Sequence, residues 1–429
     1  MSETIKKRSF AIGYTLVIHS LLMYWLQGGI TTTGLNVFLP HFTGTYGWER
    51  TTLLNLLTVA ALCAVAAAIF FAQMVKKFGP RKVTVLSLIL GGILIICFGR
   101  VSSIATFIIT TCCLFCLAQG WGNVTTNTLM ANWYPRKKAV ILGITTIGLP
   151  LSDIVFVPVM KNLVGSEGFH IAYLFLGVFM IVLGIVSVFW VKDNPEDLGL
   201  APDNDKLSSE QLQVATQRLR NFKPHWTLKR LLRDPNAWLL SIGFGLIFMC
   251  NKGMLSQMSF YFMAKNYTYD EAIGLMAKLA ILGIFGSYIW GWIDDKIGTK
   301  KASIFYCIFY GGAFALMFLS GGPIMWVGIV LFEFCQGGIG NLIPSMMVTC
   351  YGRYEFPGVN RLLNPIVSLI YAFASFAVGF ATTLTGDTGR APIVFAVLVF
   401  IALILILFLK PHPRTDIIYD ENSAAETAS

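Results

Sequence analysis

Charge is the scarcest ingredient of this 429-residue chain: Asp, Glu, Lys and Arg make up 13% of it, against 55% hydrophobic residues. A soluble protein of this length needs far more charge to cover its surface. A water-soluble globular class is therefore excluded, and a mean hydropathy of +0.68 says that lipid sets the order. Loops hold no cysteine. Cys63, Cys97, Cys112, Cys113, Cys116, Cys250, Cys307, Cys335 and Cys350 all lie in or beside apolar runs, which excludes a secreted disulfide framework. Cys112, Cys113 and Cys116 read as small, soft packing residues rather than a metal site. A phosphate-cradling glycine loop is missing, which argues against ATP drive. No span presents a nucleophile and a base at catalytic spacing, so the chain is not read as an enzyme and no cofactor is expected. Nor is a cleavable signal read, since the first apolar stretch runs too long and has no small-residue cleavage pattern.

What the chain has is length of apolar run. About 20 apolar residues cross the hydrocarbon as a helix, and runs of that order centre on 10–40, 51–75, 83–99, 104–130, 139–163 and 170–191, then 236–263, 271–293, 302–320, 324–350, 362–384 and 391–409. We number them spans 1 to 12. The fold class is an all-α membrane protein of twelve transmembrane helices in two pseudo-symmetric six-helix bundles. The expected domains are an N-terminal bundle (1–191), a polar linker (192–235), a C-terminal bundle (236–410) and a polar tail (411–429). Ser208 to Arg220 is expected to form a short surface helix in the linker.

The net charge of +10 would suggest nucleic acid in a soluble protein, but here its placement decides otherwise. Lys6-Lys7-Arg8, Lys76-Lys77 with Arg81-Lys82, Arg136-Lys137-Lys138, the stretch from Lys192 to Arg233, Lys296 with Lys300-Lys301, Arg353 with Arg361, and Lys410 with Arg414 fall in every second loop. The alternate loops carry only Arg50, Arg100, Lys161, Lys265 and Arg390. This is the positive-inside pattern. It places both termini and the linker in the cytoplasm of a multi-pass protein of the plasma (inner) membrane.

Two internal echoes indicate duplication. Gly291-Trp-Ile-Asp-Asp295-Lys296-Ile-Gly298-Thr-Lys300-Lys301 joins spans 8 and 9, and Ala72-Gln-Met-Val-Lys76-Lys77-Phe-Gly79-Pro-Arg81-Lys82 joins spans 2 and 3, an offset of 219 positions between Gly79 and Gly298. Span 4 contains Gln119-Gly120-Trp-Gly122-Asn123, and span 10 answers with Gln336-Gly337-Gly-Ile-Gly340-Asn341. A short cationic turn repeated at half-length marks a transporter built from two homologous bundles.

These loops resemble the signature loop of the major facilitator superfamily. Asn132-Trp133-Tyr134-Pro135-Arg136, Asn194-Pro195-Glu196-Asp197 through Asp203, and Trp226 through Asp234-Pro235-Asn-Ala-Trp238 resemble the oxalate:formate antiporter and monocarboxylate porter branch, which moves small organic anions. Two positions depart from the pattern. Lys76 stands where the signature loop usually has an acid. Ser287 stands where the branch has a carboxylate-binding arginine on span 8.

Ionisable groups inside a span cost about 2.5–3.5 kcal/mol on insertion scales and face a cavity or a partner. Asp153 (span 5), Lys252 (span 7), Lys278 (span 8) and Glu333 (span 10) each lie about fifteen residues, roughly 22 Å, from the cytoplasmic end. The resemblance implies that Asp153 meets Lys278 and that Lys252 and Glu333 share a cavity wall. Lys252 and Lys278 are therefore candidate holders of a substrate carboxylate, with Asp153 and Glu333 as coupling or charge-pairing groups. Static ion pairing is the structural alternative. Gln119, Asn123, Gln336 and Asn341 are candidate polar contacts to substrate, with Asn127 continuing the span 4 stripe. His19, alone on an apolar helix, reads as hydrogen-bonded structure. Lys77, Gly79, Arg81, Gly291, Asp295, Lys296 and Gly298 form the candidate gating loops.

The expected function is a monomeric secondary transporter of a small organic anion, by proton symport or anion exchange. Its partners are the substrate, protons as a candidate coupling ion, and the lipid bilayer, without nucleic acid. A carrier of a neutral or amphipathic solute, or a non-transporting sensor on the same fold, is the alternative.

Overall fold

The computed structural model describes residues 3–134, 138–195, 225–319, 322–352 and 355–410. The expected linker helix, the motif from Glu196 to Asp203, the basic cluster at Arg136-Lys137, Arg353 and the tail from Pro411 lie outside the described residues. Every regular element among the described residues is helical. Among the described residues, nine helices are long and apolar enough to cross a membrane, or ten if the bent pair of span 10 is taken as one. The helices follow the order of the expected spans. Span 1 covers 3–46, span 2 Arg50–Phe78, span 3 Pro80–Phe98, span 4 104–133, span 5 138–167 and span 6 Phe169–Trp190. Span 7 is Pro235–Ser256 with Met258–Ala264, span 8 Tyr269–Ile297 and span 9 Thr299–Phe318. Span 10 is Pro323–Gln336 with Ile339–Tyr351, span 11 Phe356–Tyr371 with Ala374–Thr385, and span 12 Pro392–Leu407.

Local chemistry sets the ends. Pro80 and Pro323 open their helices at the first turn, where the missing N–H costs nothing. At span 4, Ser103 Oγ accepts from Thr106 N (3.2 Å) and Thr106 Oγ1 accepts from Ser103 N (3.3 Å), a reciprocal cap. The duplicated loops turn alike. Gly79 has φ +84°, ψ 156° and Gly298 has φ +83°, ψ 148°, backbone that a side chain rarely permits. A glycine in nearly the same backbone conformation thus stops span 2 and span 8 and leads into the next helix.

Several spans are irregular within. π-turns interrupt span 1 at Gly29–Thr33, span 4 at Gln119–Asn123 and span 5 at Ser152–Phe156. Span 7 breaks at Gln257 (φ −127°, ψ 14°). Span 10 bends by 51° between its two pieces. π-turns inside helices recur at functional sites.

The described residues of 1–205 form one compact unit together with Asn251–Ile284 and Ala372–Ala391; the remainder form a second. In the first unit, spans 3 and 6 pack at backbone distance: a Cβ on Gly92 would lie 2.6 Å from the Gly177 carbonyl. An aromatic cluster fills the end of that unit opposite the signature loops. His41 stacks on Phe169 (3.9 Å between centroids), Phe42 stacks on Trp48 (5.2 Å), and Phe98 and Phe107 pack edge-on to Phe42. His19 is buried with its Nε2 2.9 Å from Ser187 Oγ and its ring edge-on to Trp190, a structural histidine. In the second unit, Trp290, Tyr306, Tyr310, Phe314 and Phe332 form the corresponding aromatic core.

Candidate transport site and end closures

At the signature-loop end of the first unit, the motif residues tie helix ends together. The Asp193 carboxylate, just past span 6, accepts from the Arg81 backbone N–H at 2.7 Å and would be struck by any Cβ on Gly79. Asn132 Nδ2 donates to Asp193 O and to Asn194 Oδ1, and Trp133 Nε1 donates to Lys192 O at 2.8 Å. An acid just past span 6 thus serves the loop in which Lys76 replaces the usual one. Lys77 is exposed beside the Phe78 ring. In the second unit, Asp234 and Asn236 do similar work. Tyr351 Oη donates to Asp234 Oδ2 (2.8 Å), while Asn236 exchanges two hydrogen bonds with the Lys410 backbone. Asp295, Lys296 and Gly298 lie exposed at the end of span 8, and Gly291 faces Asn341 Nδ2 at 3.8 Å from its would-be Cβ.

The polar candidates of span 4 sit on its π-turn. Tyr24 Oη donates to Asn127 Oδ1 (3.0 Å), and Asn127 Nδ2 donates to Asn123 Oδ1 (2.6 Å), linking span 1 to span 4. Gly122 lies against the Gln27 amide, so the glycine admits a polar side chain from span 1. The π-turns of spans 1 and 5 also meet. Thr33 Oγ1 is 3.0 Å from Ser152 Oγ, and Gly29 abuts the Phe156 ring. Asp153, next to Ser152, is 1% exposed. A small cavity of about 20 Å³ beside this crossing has room for about one water.

In the second unit, Gln336 stands at the 51° bend with its amide oxygen buried and lacking a donor among the described residues; Glu333 Oε2, one turn earlier, is in the same condition. Asn341 Nδ2 donates to Ser287 O (3.0 Å) and Ser287 Oγ (3.2 Å). The position that departs from the anion-binding pattern is therefore used to join spans 8 and 10.

The lysines differ from each other. Lys252 is half-buried in span 7. Lys278 is exposed, and no ion pair joins it to Asp153 among the described residues. It lies about 13 Å along span 8 from Tyr269, among apolar neighbours.

At the end opposite the signature loops, the first unit carries a polar closure that the sequence did not announce. Asn36 Nδ2 donates to Leu255 O (3.0 Å), and Asn36 Oδ1 accepts from Ser259 N (3.0 Å) and Ser259 Oγ (2.8 Å). One carboxamide thereby satisfies both sides of the break in span 7, where helical partners are lost. Tyr269 Oη donates to Asn36 O, and Lys161 pairs with Asp270 at 2.7 Å. Arg50 donates through Nε and Nη2 to Gln257 Oε1 (3.1 and 2.6 Å) and through Nη1 to Thr388 Oγ1 (2.7 Å), with Phe260 4.1 Å beneath its guanidinium. Burial holds the Lys265 ammonium below the usual lysine range; Asp387 acts against this and Arg390 adds to it. The available signals were a lone amide after Gly34 in an apolar run, and an arginine opening a helix, where the dipole disfavours a cation.

Residues 21–375 match the Major Facilitator Superfamily. The chain belongs to that family: it is a multi-pass membrane transporter rather than an enzyme. It is 25% identical over 238 residues to the oxalate:formate antiporter of Oxalobacter formigenes, a match covering 53% of this chain and 50% of the antiporter, about half of that relative's length. It is 23% identical over 385 residues to a "Probable hexose phosphate transport protein" of Chlamydia pneumoniae, covering 81% and 79%. It is 24% identical over 348 residues to the membrane sensor protein UhpC of Escherichia coli, covering 77% and 76%. A crystal structure of a bacterial homologue of the human lysosomal transporter Spinster, inward-facing and occupied, shares the fold at TM-score 0.65 and 14% identity, covering 94% and 96% of the two chains.

Proposed function

We propose that the protein carries a small organic anion, in the first instance a carboxylate, across the membrane by alternating access, with both termini cytoplasmic. The observation that carries the reading is Lys278, an exposed ammonium deep along an apolar span. Facing lipid it would cost several kcal/mol; facing a water-filled route it is hydrated and meets a passing carboxylate. An ammonium on a flexible stem suits a site that must release its anion each cycle. Lys252 is the second cationic group, and Gln119, Asn123 and Gln336 supply neutral hydrogen bonds. Two relatives are named for oxyanions, oxalate and formate in one and hexose phosphate in the other, which supports the same class. Glu333 and Asp153 are the candidate proton carriers. The signature-loop residues, Asp193 with Arg81 and Asp295 beyond Gly291, hold the cytoplasmic end and release it during the cycle.

Uptake of labelled carboxylates by proteoliposomes, with and without a pH gradient or internal anion, tests the reading. Saturable uptake driven by protons or by counter-anion is expected. The similarity to a membrane sensor favours one second reading, a receptor that binds anion without moving it. Saturable binding with no flux in either gradient would select it.

A further inference from the structure

We infer that Arg50 and Gln257 form an oxyanion-receiving site at the end of the first unit opposite the signature loops, a way-station for the anion proposed above. Arg50 is half-buried, and its hydrogen-bond partners are neutral: the Gln257 amide oxygen and the Thr388 hydroxyl. A guanidinium has five N–H donors. Three are used here, leaving one on each Nη without an acceptor among the described residues. The neighbouring acids are engaged elsewhere: Glu49 accepts from Thr52 Oγ1 (3.1 Å), and Asp387 accepts from Gly389 N (3.0 Å).

The second observation is independent of the arginine. Gln257 is 2% exposed, and its Nε2 has no acceptor among the described residues. Withdrawing an amide N–H₂ from water without a partner is unfavourable. The cluster therefore holds surplus donors and a positive charge and lacks an acceptor that carries negative charge. A carboxylate or phosphate supplies what is missing, since its oxygens match the planar fork of arginine. Arg50 is also the first residue of the 29-residue span 2, whose free first-turn N–H groups and dipole favour an anion. Lys265, close to Gly389, and Arg390 add positive field beside Thr388.

The same fork is a switch. When this end is closed, Gln257 Oε1 occupies Nε and Nη2, the pair of donors that best grips a carboxylate. When span 7 moves away, the pair is released to incoming anion. Closure then displaces the anion from the fork as Gln257 returns.

The inference rests on the anion reading, and the test separates the two. Full-length protein is treated with p-hydroxyphenylglyoxal, and modification of Arg50 is followed by mass spectrometry against oxalate or inorganic phosphate. Affinities are measured by calorimetry for wild type, Arg50→Gln, Arg50→Lys and Gln257→Leu. The expected result is saturable protection of Arg50, half-complete at the measured affinity. Binding should weaken at least tenfold in Arg50→Gln, with partial retention in Arg50→Lys. Wild-type affinity in Arg50→Gln, or modification that neither oxalate, phosphate nor phosphatidylglycerol slows, overturns the inference while leaving anion transport intact. The reaction is repeated in vesicles of phosphatidylcholine with and without phosphatidylglycerol. Protection by phosphatidylglycerol alone supports the oxyanion site and assigns it to a lipid headgroup, and absence of carboxylate uptake would then count against the carrier reading only.

Discussion

Replacing Asn36 by Ala should open the end of the protein that this residue closes. The side chain makes three hydrogen bonds to span 7, at 2.8 to 3.0 Å, and two of them satisfy the backbone of the broken helix at Leu255 and Ser259. At about 1 kcal/mol net for each bond, the loss is about 3 kcal/mol in the closed arrangement. Once that end opens, water serves the same groups and little is lost there. A difference of 3 kcal/mol shifts the closed-to-open ratio by about a hundredfold. The assay is pulsed electron–electron resonance between spin labels at Thr45→Cys and Glu271→Cys, both exposed at this end, in a background lacking the nine native cysteines. With Asn36 in place, the short distance should dominate; in Asn36→Ala, a longer one should take over. Identical distributions in a variant that remains helical by circular dichroism would refute the reasoning.

Three smaller predictions follow from other contacts. Asp270→Asn removes the Lys161 pair, but Asp270 is 77% exposed. Its effect on the same distance distribution should therefore correspond to less than about 1 kcal/mol and vanish in high salt. Asp193→Ala deletes a charge-assisted bond to the Arg81 N–H and should cost about 2 kcal/mol, read as a drop of several degrees in melting temperature in detergent. Gly92→Val places methyl groups where the Gly177 carbonyl lies; overpacking of about 1–3 kcal/mol is expected, seen as lower melting temperature with anion affinity unchanged in the protein that folds.

The duplication was legible because it lives in local chemistry. Gly79 and Gly298 are the same residue doing the same backbone work, and their dihedrals agree to within 10°. The motif residues Asn132, Trp133, Asp234 and Asn236 were visible as words in the sequence, and their meaning as ties between helix ends came only with the fold. Gln119 and Asn123 stood out as polar, whereas the π-turn that carries them adds one residue to a hydrogen-bond ladder and leaves little trace beyond flanking glycines. Asn36 and Arg50 do not stand out in the sequence because their partners are distant: Ser259 lies 223 residues from Asn36, and Gln257 and Thr388 lie 207 and 338 from Arg50. No periodicity encodes such pairings.

The most direct test of the central claim is the initial rate of carboxylate uptake into proteoliposomes for wild type, Lys278→Arg and Lys278→Gln. Loss of a charge-assisted contact of about 1.5–3 kcal/mol predicts that kcat/KM falls between tenfold and a hundredfold in Lys278→Gln, with melting temperature unchanged and substantial uptake kept in Lys278→Arg. Equal rates in all three proteins would make Lys278 a bystander and contradict the account.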